Sequence, residues 1–156
     1  IEHGPEGFKT LNDLNAGRLE IDDQGISVLS GVDRQSCYEI GTISVAPEHR
    51  GGIFAPMLYG AILKKSEMHK KPFVLASFDD DPDPANKSYL REFKEHFGEG
   101  GGIIDLGRPK EYMGSPTTAV LLHIPTIVDN LPADFQSFLR AVRVIQLQSS
   151  PYNTAA

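Results

Sequence analysis

The chain has 156 residues, 40% of them apolar, so it can bury one hydrophobic core and is too short for two ordinary domains. Its formal charge of −6 opposes the phosphate backbone of a nucleic acid, and no apolar run reaches the roughly 18 residues of a membrane-spanning helix. Cys37 is the single cysteine, which excludes an intrachain disulfide and a zinc site built on several thiolates. We therefore expect one domain over residues 1–156, in the cytoplasm, with no nucleic acid partner and no membrane span.

The first part of the chain predicts strands. Residues 18–31 (RLEIDDQGISVLSG) place two short apolar runs around Asp-Asp-Gln-Gly, a pattern that predicts an antiparallel hairpin. Residues 38–45 (YEIGTISV) are rich in β-branched side chains, which favours a largely buried strand that ends before Pro47.

The middle of the chain predicts a strand–helix–strand unit. Residues 54–69 carry Phe54, Leu58 and Ile62 at helical spacing, and Pro56 is tolerated in the first turn. Residues 72–78 (PFVLASF) form an apolar run that is typical of a central strand covered on both faces. The order strand, helix, strand predicts a right-handed crossover with parallel pairing.

The last third predicts two helices and two strands. Asp83 followed by Pro84 indicates a helix start, and apolar residues then repeat at helical spacing until the glycines at 98 and 100–102. Residues 103–107 and 119–125 predict an antiparallel pair of strands joined by a loop. Residues 131–148 predict an amphipathic helix that could cover the core, pair with a second subunit in a homodimer, or lie on a membrane surface. Its apolar stripe favours protein contact, since the polar face has only two arginines.

Residues 43–58 (ISVAPEHRGGIFAPML) are the most informative segment, because a buried strand runs into a basic, glycine-bearing turn that opens a helix. Backbone N–H groups of such a turn point into one concavity, and the helix dipole adds positive potential. His49 and Arg50 stand beside it, and the glycines let the backbone approach a phosphate closely. The segment therefore predicts a binding site for an anion such as a pyrophosphate.

The same segment resembles the GNAT superfamily of acyl-CoA-dependent N-acyltransferases, whose donor-binding motif reads V-x-P-x-x-R-G-x-G-x-G/A between a strand and a helix. Five residues match the motif as they stand: Val45, Pro47, Arg50, Gly51 and Ala55. Ile53 occupies the place of the middle glycine, and Gly52 lies one place earlier. The order of elements over residues 25–125 matches too, and residues 38–51 (YEIGTISVAPEHRG) also resemble the acyl-amino-acid and acyl-homoserine-lactone synthase branch.

The resemblance implies a fold and a donor. The fold is α/β (an α+β mixed sheet), with a GNAT-like central mixed β-sheet flanked by helices, a core over residues 18–125, a shortened N-terminal region and an extra C-terminal helix at 131–148. Strands 38–46 and 72–78 would splay apart to hold acetyl-CoA, a longer acyl-CoA or an acyl carrier protein thioester. The residues implied to contact this donor are Ile43, Val45, His49, Arg50, Gly51, Gly52, Ile53, Phe54, Ala55 and Asn86.

The resemblance also implies direct attack of an amine, carried by a small molecule or a protein, on the thioester. A base assists by removing the proton of the amine, and Glu39 matches a position where several GNAT enzymes carry a catalytic glutamate. The family often protonates the leaving thiolate with a tyrosine from an N-x-x-A-x-x-L-Y pattern. Asn86 matches its asparagine, whereas Phe93 stands at the tyrosine and Tyr89 at the small residue, so Tyr89 is the candidate acid.

Several alternatives stay open beside this interpretation. The departures at Ile53 and Phe93 are also compatible with a non-catalytic GNAT-like module that binds acyl-CoA or a protein partner. The aspartates at 79–83 lack the spacing of an EF-hand loop and the histidines lack metal-ligand spacing, so we expect no metal. We expect Cys37 to be buried rather than nucleophilic.

Overall fold

The computed structural model describes residues 7–40, 54–86, 88–133 and 136, with the side chains of residues 54–56 left out. The predicted strand beyond Ile40 and most of the predicted helix at 131–148 lie outside these residues. Within them, no helix combines the length and the apolar character that crossing a membrane would need.

The described residues form helices on both faces of one sheet. In chain order the elements are α1 (Lys9–Asn15), α2 (Asp23–Ser30), β1 (Cys37–Glu39), α3 (Phe54–Met68), β2 (Phe73–Asp79), α4 (Tyr89–Phe97), β3 (Ile103–Asp105), β4 (Lys110–Tyr112), β5 (Ser115–His123) and α5 (Ile124–Asp129).

The sheet is mixed, with the strand order β1-β2-β5-β3 and with β4 also pairing with β5. β1 and β2 run parallel, from Cys37 opposite Phe73 to Glu39 opposite Leu75. β2 pairs antiparallel with β5 along its whole length, and β3 and β4 pair antiparallel with β5. The predicted mixed sheet, the parallel pair around α3 and the antiparallel pair β3–β5 are thereby confirmed.

Alternating residues of the central strands feed two separate cores. Val74, Ala76 and Phe78 of β2 point toward α3, α4 and α5. Leu75 points the other way, with Cys37, toward α1 and α2. β2 is therefore covered on both faces, as its unbroken apolar run predicts.

The predicted hairpin at 18–31 is wrong, because this segment contains helix α2. Asp22 is its N-cap and accepts a hydrogen bond from the backbone N–H of Gly25 (2.8 Å), and Asp23 adds a carboxylate to the first turn. Val28 and Leu29 then pack against the second core. The two aspartates thus start a helix instead of closing a turn between strands.

The predicted helix start at Asp83 is also wrong. The Asp83 carboxylate accepts a hydrogen bond from the N–H of Ala85 (2.9 Å) within a loop, and α4 begins only at Tyr89. Its cap is Ser88, whose hydroxyl accepts from the N–H of Arg91 (3.1 Å). Ser88 caps the helix, whereas the aspartates before it form hydrogen bonds within the loop.

The predicted loop between residues 107 and 119 contains strand β4 and the first residues of β5. Met113 and Gly114, both with positive φ (51° and 89°), form the turn that joins the two strands. A two-residue turn with this backbone is usually marked by Asn-Gly, so Met-Gly carries a weak sequence signal. Helix α5, with Pro125 in its first turn, likewise begins where the sequence predicts the end of a strand.

Helix α3 is confirmed at 54–68, but its buried face is not the predicted one. Leu58 is exposed, whereas Gly60, Leu63 and Ser66 are buried. Tyr59 is half-buried beside them. The spacing of Phe54, Leu58 and Ile62 did not identify the buried side, because apolar residues occur on both sides of this helix. Only packing decides which side faces the sheet.

A buried carboxylate, Asp13, ties α1 to the rest of the fold. Its oxygens accept hydrogen bonds from Lys9 Nζ (2.7 Å), Arg18 Nε (2.6 Å) and the hydroxyl of Tyr112 in β4 (2.6 Å). Burial opposes the charge of this carboxyl, but the donors from Lys9, Tyr112 and Arg18 outweigh it and lower the pKa of Asp13 to about 2. We call these four residues the Asp13 cluster.

Gly25 allows α2 to approach the chain after β3. A Cβ at this position would lie 2.0 Å from the carbonyl oxygen of Leu106. Alanine normally favours a helix over glycine by about 1 kcal/mol, so the steric conflict has to exceed this gain. We expect Gly25→Ala to lower the free energy of unfolding by at least about 2 kcal/mol, measured by urea denaturation. Gly31→Ala is the matched control, because its Cβ would meet nothing closer than 3.5 Å and stability should stay nearly unchanged.

The Asp13 cluster makes stability depend on pH. Because the pKa of Asp13 lies near 2 in the folded protein, below the ordinary 3.8, its stabilising contribution is complete above about pH 4 and is lost as the pH falls through 2. We expect Asp13→Asn to be less stable than the wild type at pH 7 by about 2 kcal/mol, a gap that closes by pH 2. Urea unfolding at four pH values measures the gap, with exposed Asp129→Asn as control. A gap that does not change with pH would contradict this role of Asp13.

Candidate functional site

The carboxyl ends of β1 and β2 and the amino ends of α3 and α4 lie toward the same edge of the sheet. β1 and β2 are parallel, and α4 begins beside the end of β2, where Ser88 Oγ lies 3.3 Å from Asp80 Oδ1. α3 ends close in sequence to the start of β2. Because α3 is 15 residues long, about 22 Å, its amino end lies toward the other edge of the sheet, where β2 ends. In α/β sheets, ligands bind at such an edge.

Most of the predicted donor-binding residues lie outside the described part of the chain. This holds for Ile43, Val45, His49, Arg50, Gly51, Gly52 and Ile53. The backbone of Phe54 and Ala55 forms the first turn of α3, so the glycine-bearing segment leads directly into a helix. On the strand side, the described pairing reaches the hydrogen bond from the N–H of Ile40 to the carbonyl of Leu75 (2.9 Å), and β2 continues to Asp79.

Glu39, the predicted base, contacts the amino end of α1. Its carboxylate accepts hydrogen bonds from the backbone N–H groups of Lys9 (2.7 Å) and Thr10. The N-cap residue of α1, Phe8, makes no side-chain hydrogen bond to the helix. Glu39 therefore caps α1 from a position about thirty residues away in sequence, and it does so on the α1/α2 face of the sheet.

Cys37 lies on the same face as Glu39 and is buried, as predicted. Burial, together with the neighbouring charge of Glu39, raises the pKa of the Cys37 thiol to about 11. A thiol with this pKa is almost wholly protonated at neutral pH and is a poor nucleophile.

Asn86 and Tyr89 lie near the start of α4. The Asn86 side chain donates a hydrogen bond to Asp81 (3.0 Å), and its carbonyl accepts one from the guanidinium of Arg91. Tyr89 is the first residue of α4 and is 42% exposed. Both residues are thus at the edge where the strands end, although Asn86 is already engaged within its own loop.

The aspartates at the end of β2 bond the start of the loop that leads to α4 to strand β5. Asp79 accepts a hydrogen bond from Ser115, and Asp80 accepts one from Thr118 (2.7 Å). An open groove of about 460 Å³ lies between this loop and α4, and its cations, Arg91 and Lys94, are bonded to neighbouring groups. The described residues contain no group of three His, Cys, Asp or Glu side chains arranged to hold a metal ion.

Tyr59 of α3 is the residue at this edge that sequence reasoning missed. Its ring contacts Phe93 edge-on at a centroid distance of 4.8 Å and lies 6.0 Å from Phe78, near the end of β2. Burial, the charge of Glu92 and the proximity of Tyr89 raise the pKa of its hydroxyl. The sequence signal for Tyr59 was its spacing from Leu63 and Ser66, because these three residues lie on one side of α3, the side that packs against the sheet.

The capping role of Glu39 can be tested by stability. We expect Glu39→Ala to lower the free energy of unfolding by about 1 kcal/mol, as the loss of an N-cap does, and Glu39→Gln by less because the amide oxygen still accepts one N–H. Thermal and urea unfolding measure both variants. Equal stability of the wild type and Glu39→Ala would show that the contact with α1 contributes nothing.

No protein-family model and no curated protein sequence matches this chain. Similar solved structures include two of BjaI, a CoA-dependent acyl-homoserine lactone synthase. The structure with MTA is 17% identical with a TM-score of 0.45, and the structure with SAM and isopentyl-CoA is 18% identical with a TM-score of 0.46. Each match covers 67% of this chain and 42% of the BjaI chain, so the similar region is less than half of that protein.

Proposed function

We propose that this protein transfers an acyl group from an acyl thioester to an amine. The observation that carries the proposal is the parallel β1–α3–β2 unit, into whose helix residues 45–55 lead directly. An anion-binding turn needs this arrangement, because the free N–H groups of the helix start must face the edge where the strands end. The motif residues and the parallel unit support the same donor site from independent directions.

The donor is acetyl-CoA, a longer acyl-CoA or an acyl carrier protein thioester. In this proposal His49, Arg50 and the glycine-bearing turn bind its phosphates, and the donor arm runs beside Ile43 and Val45. The backbone of β2 beyond Leu75 supports this path, since β2 continues to Asp79 past the last residue that pairs with β1. Ile53, Phe54, Ala55 and Asn86 would complete the contact.

The reaction is direct attack by an amine, without a covalent enzyme intermediate. Glu39 is the proposed base: each of its oxygens accepts a backbone N–H and still has a lone pair for the amine proton, directly or through water. The acceptor is an amine-bearing small molecule or protein in the cytoplasm. We propose that a second subunit of a homodimer completes the binding site for the acceptor.

A second candidate function is a non-catalytic module that binds an acyl thioester or a protein partner. Two observations favour it: Phe93 has no hydroxyl where the family motif has tyrosine, and Glu39 is held by the amino end of α1. Both residues can be explained without catalysis, one as core and one as a helix cap.

One experiment separates the two candidates. The protein is titrated with acetyl-CoA, a long-chain acyl-CoA and an acyl carrier protein thioester by calorimetry, and the release of free thiol is followed with a panel of amines. Acyl transfer predicts binding and amine-dependent thiol release. Binding without release for every amine would favour the module that binds a thioester. Failure to bind any thioester would refute acyl transfer and the thioester-binding module alike, and would leave only the module that binds a protein partner.

Arg50 is the residue on which donor binding should depend most. We expect Arg50→Glu to weaken acyl-CoA binding by about tenfold to a hundredfold at low salt, because it replaces a charge-assisted bond to phosphate with repulsion. The effect should shrink as salt is added. Arg108→Glu, an equal charge change at an exposed site between β3 and β4, is the control. An unchanged dissociation constant for Arg50→Glu would remove Arg50 from the site.

A further inference from the structure

Helix α3 carries apolar side chains on its outer side as well as on the side that packs against the sheet. Met57, Leu58 and Met68 are 41%, 42% and 49% exposed, and Ala61 is exposed between them. Because the helix has 3.6 residues per turn, these four residues share a sector of about 100°, which we call the outer face of α3. Within the described part of the chain, this sector holds three of the six large apolar side chains that are exposed.

Lysines surround the outer face of α3. Four of the eight lysines of the chain lie within eight consecutive positions at the end of this helix: Lys64, Lys65, Lys70 and Lys71. Glu67 is the single acidic residue among them and pairs with Lys64 (2.8 Å), and no other ion pair of the described residues involves this segment. The outer face is therefore apolar and locally cationic, although the whole chain carries a formal charge of −6.

The end of α3 places a lysine where the backbone favours glycine. The N–H of Lys70 donates to the carbonyl of Glu67 (3.1 Å) and the N–H of Lys71 to that of Ser66 (2.9 Å), which are the two bonds of a Schellman cap. Lys70 has the positive φ (54°) that this cap requires, and glycine usually occupies that position because it has no Cβ. The cap thus keeps a cationic side chain at a conformational cost, which is typical of positions whose side chain has a function.

Two of these lysines are held by uncharged groups. The ammonium groups of Lys65 and Lys71 lie 5.7 and 5.9 Å from the centroid of the Tyr38 ring, and Lys71 also donates to the backbone carbonyl of Gln35. These contacts orient the two side chains without neutralising them. Their positive charge is therefore available to an anion outside the protein.

We propose that the outer face of α3 lies on an anionic membrane surface, with its apolar side chains among the lipid headgroups and its lysines at the lipid phosphates. Charge complementarity supports this partner, because each lysine near an anionic leaflet adds to the attraction. A protein partner fits less well, since protein interfaces are depleted of lysine and enriched in arginine, and all four cations here are lysines. Lysine suits a membrane because its apolar stem lies along the hydrocarbon boundary while the ammonium group reaches the phosphates. The inference does not depend on the proposed acyl transfer.

A single tryptophan tests whether the outer face enters the lipid, because the chain contains no other tryptophan. We expect full-length Met68→Trp to float with vesicles of phosphatidylglycerol and phosphatidylcholine in equal parts. Its emission should shift to shorter wavelength, and brominated lipids should quench it. Ile26→Trp is the matched control, since Ile26 is 53% exposed on α2, which packs on the other face of the sheet, and its emission should not change. Vesicles of phosphatidylcholine alone should bind neither variant.

Lys70→Gly tests the contribution of charge without disturbing the fold. The substitution removes a lysine from a position whose φ glycine adopts without strain, so stability should not fall. We expect the partition coefficient for the anionic vesicles to fall about fivefold, the share of one lysine near a charged surface. Added salt should weaken the binding of wild type and variant alike. Arg108→Gln removes one positive charge at an exposed site between β3 and β4, and it should leave the partition coefficient nearly unchanged.

The proposal is overturned if the wild type does not float with the anionic vesicles at low salt, or if Arg108→Gln weakens binding as much as Lys70→Gly. It also fails if the tryptophan of Met68→Trp has the same emission with and without bound vesicles. Emission that is already at short wavelength without lipid and changes on dilution would assign the outer face to a second copy of this chain. The same emission at every dilution would show that another part of the chain covers it.

Discussion

The double coverage of β2 is the constraint on which the other elements depend. This strand is hydrogen-bonded to β1 on one side and along its full length to β5 on the other, and its residues alternate between two cores. A register shift of one residue would move Leu75 to the face now formed by Val74 and Ala76, and would move those two residues to the face of Leu75. The side chains of each core would then face the wrong helices. Because β2 cannot slip, its register with β1 and β5 is fixed, and so is the packing of α3 and α4 on the face formed by Val74, Ala76 and Phe78.

The sequence predicts the elements whose signals are local and strong. The apolar run PFVLASF predicts a strand, and the structure has β2 there. The helix at 54–68 was predicted from the helical spacing of its apolar residues and from Pro56, which the first turn tolerates. The errors arose where one pattern serves two structures. Asp22 and Asp23 suit a turn as well as a helix cap, and the decision came from Gly25, whose missing side chain lets α2 lie against Leu106.

The candidate site was less predictable because its contacts join distant parts of the chain. Glu39 was singled out through the family resemblance, but its contact with Lys9 and Thr10 bridges about thirty residues and has no local signature. Tyr59 was overlooked for a related reason: its relation to Phe93 exists only once α3 packs on α4. Residues 45–55, the proposed donor-binding segment, show the reverse case, because their glycines and arginine are informative in the sequence alone.

The burial of Cys37 has a practical and physical consequence. It is the protein's single thiol, it lies beneath α1 and α2, and it is almost fully protonated at neutral pH. A thiol reagent would therefore modify it only during transient separation of the N-terminal helices from β1, whose frequency sets the rate. The slow labelling of Cys37 then measures how often these helices open. If the proposed acyl transfer occurs, a faster reaction with the thiol reagent comes from the thiol freed from the donor.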